Sequence, residues 1–174
     1  MTPSSKGRKR GYRSRYAALS VFGGKRGEYV VEIRDFKPSD TEALYGLIKN
    51  ELGYAGLSIS GLTERLGKMY EGGDYHIFAA CENNKMIGFI GLSLGLALEI
   101  EGTVMRIIGL AVEEECQGMG VGSALISKAE EFADENGVSV IFVNSGLKRE
   151  AAHRFYEKNG FGKKGYGFSK YAAE

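Results

Sequence analysis

The chain has 174 residues, of which 43% are hydrophobic and 26% charged, and this composition is typical of one globular domain with a sizeable core. Its longest apolar run, residues 86–98, is too short for a membrane-spanning helix, which needs roughly 20 residues. The two cysteines and two histidines show neither CxxC nor HxxxH spacing, so the sequence predicts no disulfide framework and no metal site. We expect free thiols, no membrane partner and a cytoplasmic location.

The charges are distributed unevenly along the chain. Residues 1–27 contain eight Lys and Arg residues and no acidic residue, which leaves 15 basic (23 − 8) and 22 acidic residues, a net charge of −7, in residues 28–174. The first segment shows no helical or strand period, so we predict a disordered basic arm at 1–27 and one folded domain at 28–174. A nucleic-acid tether, a transit peptide and an extension without a role all fit this arm. The acidic domain itself gives no reason to expect nucleic-acid binding.

Hydrophobic periodicity and turn residues predict ten elements in the order β-α-α-β-β-β-α-β-α-β. Ser39, followed three residues later by Glu42, resembles a capping box at the start of the first helix. The predicted strands are 29–36, 75–82, 85–96, 103–112, 138–143 and a last strand or hairpin at 161–171; the predicted helices are 39–52, 62–70, 119–136 and 149–158. Together they predict an α/β fold with a mixed central sheet and helices on both faces.

A glycine-rich loop, Gln117-Gly118-Met119-Gly120-Val121-Gly122, lies between an apolar strand and a long helix. Glycines let the backbone approach a ligand closely, and the N–H groups at the start of the helix favour a phosphate there. A P-loop would require a lysine, but Ser123 follows Gly122. A dinucleotide fold would require a different glycine spacing and an acidic residue after the next strand, which ends at Asn144.

Two motifs resemble the GNAT superfamily of N-acetyltransferases. Gln117, Gly120 and Gly122 match the coenzyme A loop of that family, Gln/Arg-x-x-Gly-x-Gly/Ala, and residues 152–161 resemble its Ala-x-x-Phe-Tyr-x-x-x-Gly-Phe segment. The resemblance extends over about residues 30 to 171. Arg149 departs from the pattern, because the family often has an asparagine there.

The resemblance implies an enzyme that transfers acetyl from acetyl-CoA directly to a primary amine. It implies that the backbone of Leu110, Ala111 and Val112 binds the pantetheine arm and polarises the thioester carbonyl. It also implies that Tyr156 protonates the departing thiolate. The pyrophosphate would lie against seven consecutive residues: Gln117, Gly118, Met119, Gly120, Val121, Gly122 and Ser123.

The sequence does not decide which group acts as the general base or which amine accepts the acetyl group. Histone-modifying relatives use a glutamate at the position of Arg106, which cannot accept a proton. Glu99, Glu101, Glu51 and a water chain are alternatives. The C-terminal region is similar to aminoalkylphosphonate and aminoglycoside-type acetyltransferases, which favours a small amine. The histidine-rich segment of the phosphonate enzymes is missing at residues 96–99, so neither their substrate nor a metal is carried over.

Two other functions compete with a small-molecule N-acetyltransferase. One is a protein N-terminal or lysine acetyltransferase, which an open groove between the first two helices and the last hairpin would favour. The other is a non-catalytic acyl-CoA-binding module, against which the retention of Tyr156 argues. A homodimer is also left open.

Overall fold

The computed structural model describes residues 17–23 and 27–171. It contains six strands, four α-helices and two short 3-10 turns within those residues. The strands are β1 (Ala17–Gly23), β2 (Gly27–Asp35), β3 (Tyr75–Glu82), β4 (Lys85–Ala97), β5 (Ile100–Val112) and β6 (Val138–Val143). The helices are α1 (Thr41–Asn50), α2 (Ile59–Gly72), α3 (Val121–Glu135) and α4 (Glu150–Lys158), and the 3-10 turns are Pro38–Asp40 and Glu114–Cys116.

The strands form one mixed sheet in the order β1-β2-β3-β4-β5-β6. Every neighbouring pair is antiparallel except β5 and β6, which are parallel and are connected through α3. The tight β3–β4 hairpin turns at Asn83 and Asn84, whose φ angles of 49° and 63° lie in the left-handed region that asparagine tolerates. The expected α/β fold with a mixed sheet is confirmed.

Two buried clusters place helices on both faces of the sheet. On the face that we call the front, Leu44 of α1 and Leu62 of α2 pack against Phe89 and Ala111. On the back face, Leu125 of α3 and its neighbours pack against alternate strand residues such as Ile90. Alternate side chains of β4 therefore pack into two separate cores, as expected for a strand that is buried on both faces.

Two expectations about the ends of the domain are wrong. Part of the predicted disordered arm, Ala17–Gly23, forms β1 and pairs with β2, because backbone hydrogen bonds at a sheet edge do not require a long apolar pattern. Residues 1–16 and 24–26 lie outside the described residues. At the other end, residues 161–171 form no strand in the described part of the chain, where Gly162, Gly165 and Gly167 weaken strand formation.

The start of the first helix also differs from the capping box expected at Ser39. Residues Pro38–Asp40 form a 3-10 turn, and α1 begins only at Thr41. The carboxylate of Asp40 accepts hydrogen bonds from the Lys37 backbone N–H at 2.8 Å and from the Arg34 guanidinium at 2.7 and 2.9 Å. Asp40, held by Arg34 of β2, therefore organises this turn.

Candidate active site

Strands β5 and β6 separate partway along their length. Their parallel pairing runs from Thr103 and Val138 to Ile107 and Val143, and there β6 ends. Strand β5 continues to Val112, paired only with β4. The β6-facing edge of residues 108–112 is therefore left without a strand partner among the described residues. We call this opening the split.

A β-bulge lies at the start of the split. Gly91 of β4 pairs with Gly109 and Leu92 pairs with Ile107, so Ile108 is an extra residue in β5. A bulge bends its strand and increases the local twist, which turns β5 away from β6 at this point. Nothing in the sequence predicted this irregularity, although it fixes where the split begins.

The glycine loop follows the split directly. Gly118 and Gly120 have φ angles of 74° and 89°, a backbone conformation that other residues adopt only with strain. Gly120 caps α3 and offers no side chain to its first N–H groups, whose partners would lie outside the helix. Because these N–H groups and the positive end of the helix dipole point away from α3, the loop is suited to bind an anion.

Contacts join this loop to β5 and α4. The Gln117 side-chain amide donates a hydrogen bond to the Val112 carbonyl at 3.0 Å. A Cβ built on Gly122 would lie 3.1 Å from two ring atoms of Phe155 and 4.0 Å from Val112. Gly122 therefore permits close packing between α3 and α4, and the structure brings the predicted loop residues and the end of β5 together.

Tyr156 lies on α4, half-buried between two aromatic rings. Its ring centroid is 5.3 Å from that of Phe155 and 5.6 Å from that of Phe161, both in edge-to-face geometry. Burial raises the pKa of Tyr156 above its usual value of 10, and the positive charge of Arg149 only partly opposes this rise. The hydroxyl is therefore protonated at neutral pH and available as a donor.

Tyr156 also lines a pocket of about 1010 Å³ between β6, α4 and residues 160–167. Ser145, in the connection after β6, lines the same pocket. Its hydroxyl oxygen is buried and has no hydrogen-bond partner among the described residues. Sequence reasoning did not identify Ser145, because a serine in a loop carries no distinguishing pattern.

The structure separates the candidate carboxylates. Glu101 lies nine residues before Leu110 on β5, which at about 3.3 Å per residue is about 30 Å. Its backbone carbonyl accepts a hydrogen bond from Ser139 near the start of β6, at the opposite end from the split. Glu99 precedes β5 in the same hairpin. Both are therefore too distant to act as a base at the split.

Of the three candidate carboxylates, Glu51 is the one that lies near the loop. It caps the C-terminus of α1, and its side chain accepts a hydrogen bond from the Gln117 amide at 3.2 Å. The same amide nitrogen donates to Val112, so one side chain links Glu51 to the end of β5. The contact joins residues 66 positions apart, and no sequence pattern indicated it.

The described residues offer neither a metal-binding cluster nor a membrane-spanning helix. No group of three or more His, Cys, Asp or Glu side chains is arranged to hold a metal ion there. None of the helices in that part of the chain is long and apolar enough to cross a membrane. Cys81 and Cys116 are both buried and form no disulfide.

Comparison with known proteins identifies similar chains. Residues 42–161 match the model of the acetyltransferase (GNAT) family. An aminoalkylphosphonate N-acetyltransferase of Salmonella typhimurium is 30% identical over 145 residues, which cover 81% of this chain and 91% of that protein.

Two solved structures share the fold. A transcriptional regulator from Bacillus halodurans has a TM-score of 0.77 at 22% identity, with 82% of this chain and 99% of that one covered. An aminoglycoside acetyltransferase from an uncultured soil metagenomic sample, in complex with trehalose, has a TM-score of 0.73 at 22% identity, with 83% and 97% covered. The matched family model and the similarity to the Salmonella enzyme show that the chain belongs to the GNAT family of acetyltransferases and is an N-acetyltransferase.

Proposed function

We propose that the protein transfers an acetyl group from acetyl-CoA to the primary amine of a small molecule. The observation that carries this proposal is the split at the end of β5, which the glycine loop follows directly. Phe155, the neighbour of the proposed acid Tyr156, lies 3.1 Å from the Cβ position of Gly122 in that loop. The name of the Salmonella relative, aminoalkylphosphonate N-acetyltransferase, supports the choice of a small-molecule amine as acceptor.

The residues at this end of β5 fit a coenzyme A molecule. We assign the pantetheine arm to the unpaired edge at Leu110, Ala111 and Val112, where alternate residues direct backbone N–H and C=O groups into the split and can bind an amide-rich ligand. At the loop, a Cβ on Gly118 would meet no atom within 4 Å, so there is space for a ligand over the backbone. The pyrophosphate would lie on residues 117–123, against the start of α3.

Acetyl-CoA supplies an activated acyl group as a thioester when it is bound. A backbone N–H in residues 110–112 stabilises the negative charge that develops on the carbonyl oxygen during attack by the neutral amine. As the C–N bond forms and the C–S bond breaks, Tyr156 donates its proton to the thiolate. The proton lost by the amine passes to Glu51 or to water, and bulk solvent then restores the proton of Tyr156.

The direct experiment is to incubate the purified protein with acetyl-CoA and a panel of amines. Free thiol should appear only when a suitable amine is present, and mass spectrometry should find that amine acetylated. Peptides with a free N-terminus or with a lysine side chain, added to the same panel, test the alternative that the acceptor is a protein. Acetyl-CoA binding without transfer to any member of a broad panel would instead support a non-catalytic acyl-CoA-binding module.

A further inference from the structure

Arg106 is a charged side chain that the proposed reaction does not use. It is exposed on β5, one residue before the last pair that β5 forms with β6. Its guanidinium lies over the ring of Phe142, 5.9 Å from the ring centroid. It forms no ion pair with any residue that the structure describes, so its positive charge is not neutralised there.

The direction of this side chain follows from the alternation along β5. Met105 and Ile107 are buried in the back core with α3, so Arg106 between them faces the front. Because of the bulge, Ile108 also faces the front. A Cβ built on Gly91, on the front side of β4, would lie 3.2 Å from the Ile108 side chain. Arg106 and Ile108 therefore form an exposed surface on the front face where the split opens.

Opposite charges flank this surface. Leu52, directly after Glu51, approaches within 3.9 Å of the Cβ position of Gly109, which places the end of α1 over β5 on the front face. The Glu51 carboxylate lies near Val112, because the Gln117 amide binds both of them. Arg106 lies at the other end of the split, two residues before Ile108. An acceptor on the front face would thus meet a carboxylate at one end of the split and a guanidinium at the other.

We propose that the acceptor is a short amine that also bears an anionic group, and that Arg106 binds this group. The inference rests on the proposed function, because the acetyl group must lie near Leu110. Arg106 is four residues from Leu110, or about 13 Å along an extended strand and less across the bulge at Ile108, and its long side chain spans part of that distance. This leaves space for an anion two or three bonds from the amine.

The chemistry of arginine supports this assignment. A guanidinium is always charged and binds a carboxylate or phosphonate through two parallel N–H donors. The stacking on Phe142 restricts the side chain before a ligand arrives, which lowers the cost of ordering it. The Salmonella relative is named for a substrate class that combines an amine with a phosphonate.

The test compares matched amines on Arg106→Gln and on a control variant, Arg65→Gln, which removes an exposed arginine from α2. The substrates are β-alanine, 2-aminoethylphosphonate and the uncharged n-propylamine, with acetyl-CoA saturating. For the better of the two anionic amines, Arg106→Gln should lower kcat/KM about 10- to 100-fold, as expected for a lost charged hydrogen bond. The kcat/KM of Arg106→Gln for n-propylamine should stay within about threefold of the wild-type value. Arg65→Gln should have wild-type kcat/KM for all three amines.

A second readout separates this inference from the proposed function. Binding of each anionic amine to the CoA-saturated protein is measured by calorimetry, and Arg106→Gln should weaken it by a similar factor. If amines are acetylated but Arg106→Gln affects charged and neutral amines equally, Arg106 does not bind the anion and the inference fails. If no amine is acetylated while the Arg106-dependent binding remains, the proposed function fails but the anion site stands. Absence of both activity and Arg106-dependent binding contradicts both.

Discussion

At the scale of the single residue, the sequence motif and the structure emphasise different properties of Tyr156. The motif implies a proton donor, and the structure adds the environment that keeps the donor protonated. Phe155 and Phe161 surround the ring, and burial raises its pKa above 10. Because a phenol can donate only when protonated, the raised pKa would allow Tyr156, as the proposed acid, to donate a proton at higher pH.

We therefore expect Tyr156→Phe to lower kcat about 100-fold, at the lower end of the effect of general acid catalysis, since water partly replaces the hydroxyl. The affinity for acetyl-CoA should change little, because the glycine loop and the β5 edge are intact. The wild-type activity should fall only above about pH 10, and this alkaline limb should be absent from the variant. Steady-state kinetics from pH 6 to 11 measure both effects.

The control is Tyr75→Phe, which removes a hydroxyl from an exposed tyrosine at the start of β3. It should leave kcat and the pH profile unchanged. Wild-type kcat in Tyr156→Phe, with the alkaline limb retained, would exclude Tyr156 as the acid.

At the scale of the element, one buried ion pair joins the front helices to the sheet. Arg34 of β2 and Asp40 at the start of α1 are nearly inaccessible and lie 2.7 Å apart. The hydrogen bond from Arg34 is the main cause of the lowered pKa of Asp40, and the Lys37 backbone N–H contributes. Removing one partner of a buried pair leaves the other charge uncompensated, which is costly.

Asp40→Asn should therefore lower the free energy of unfolding at pH 7 by about 3 kcal/mol. Because the folded pKa of Asp40 lies below its unfolded value of about 3.8, the stabilisation is complete above that pH and is lost as the pH falls through the folded pKa. The difference in free energy of unfolding between the wild type and Asp40→Asn should therefore become smaller at acidic pH. Urea denaturation at neutral and acidic pH measures this difference.

Glu64→Gln serves as the matched control, since Glu64 forms an exposed pair with Lys68 on α2. An exposed pair contributes little, so this variant should unfold like the wild type. Equal stability of Asp40→Asn and Glu64→Gln would show that the Arg34–Asp40 pair does not hold α1 to the sheet.

At the scale of the whole molecule, the sequence predicted the parts with strong local signals. Strands 75–82 and 138–143 have the predicted bounds, and α3 begins two residues after its predicted start. Apolar runs, an Asn-Asn turn and a glycine loop encode these features locally. The two motifs are in contact, because the Cβ position of Gly122 in the glycine loop lies 3.1 Å from the ring of Phe155.

The remaining features depend on contacts between distant segments. Strand β1 is built from backbone pairing with β2, which the basic composition of the first residues concealed. The bulge at Ile108 depends on how β4 and β5 align, and the hydrogen bond between Glu51 and Gln117 crosses the fold. Local periodicity contains no information on such alignments, so the candidate base could be narrowed to Glu51 or water only with the structure.

The most direct test of acetyl-CoA binding at the glycine loop places a charge in the first turn of α3. Ser123→Glu and its control Ser127→Glu differ by one helical turn, and both positions are helical, so neither strains the backbone. A carboxylate at the first turn is favourable to the helix itself, so unliganded Ser123→Glu should melt at or above the wild-type temperature. Next to a pyrophosphate, however, the same charge is strongly unfavourable.

Isothermal titration with acetyl-CoA should give one site per chain in the wild type, with the same Kd in Ser127→Glu. Ser123→Glu should bind at least about tenfold more weakly. If Ser123→Glu binds acetyl-CoA as tightly as the wild type, the pyrophosphate does not lie on the glycine loop, and this account of the site is contradicted.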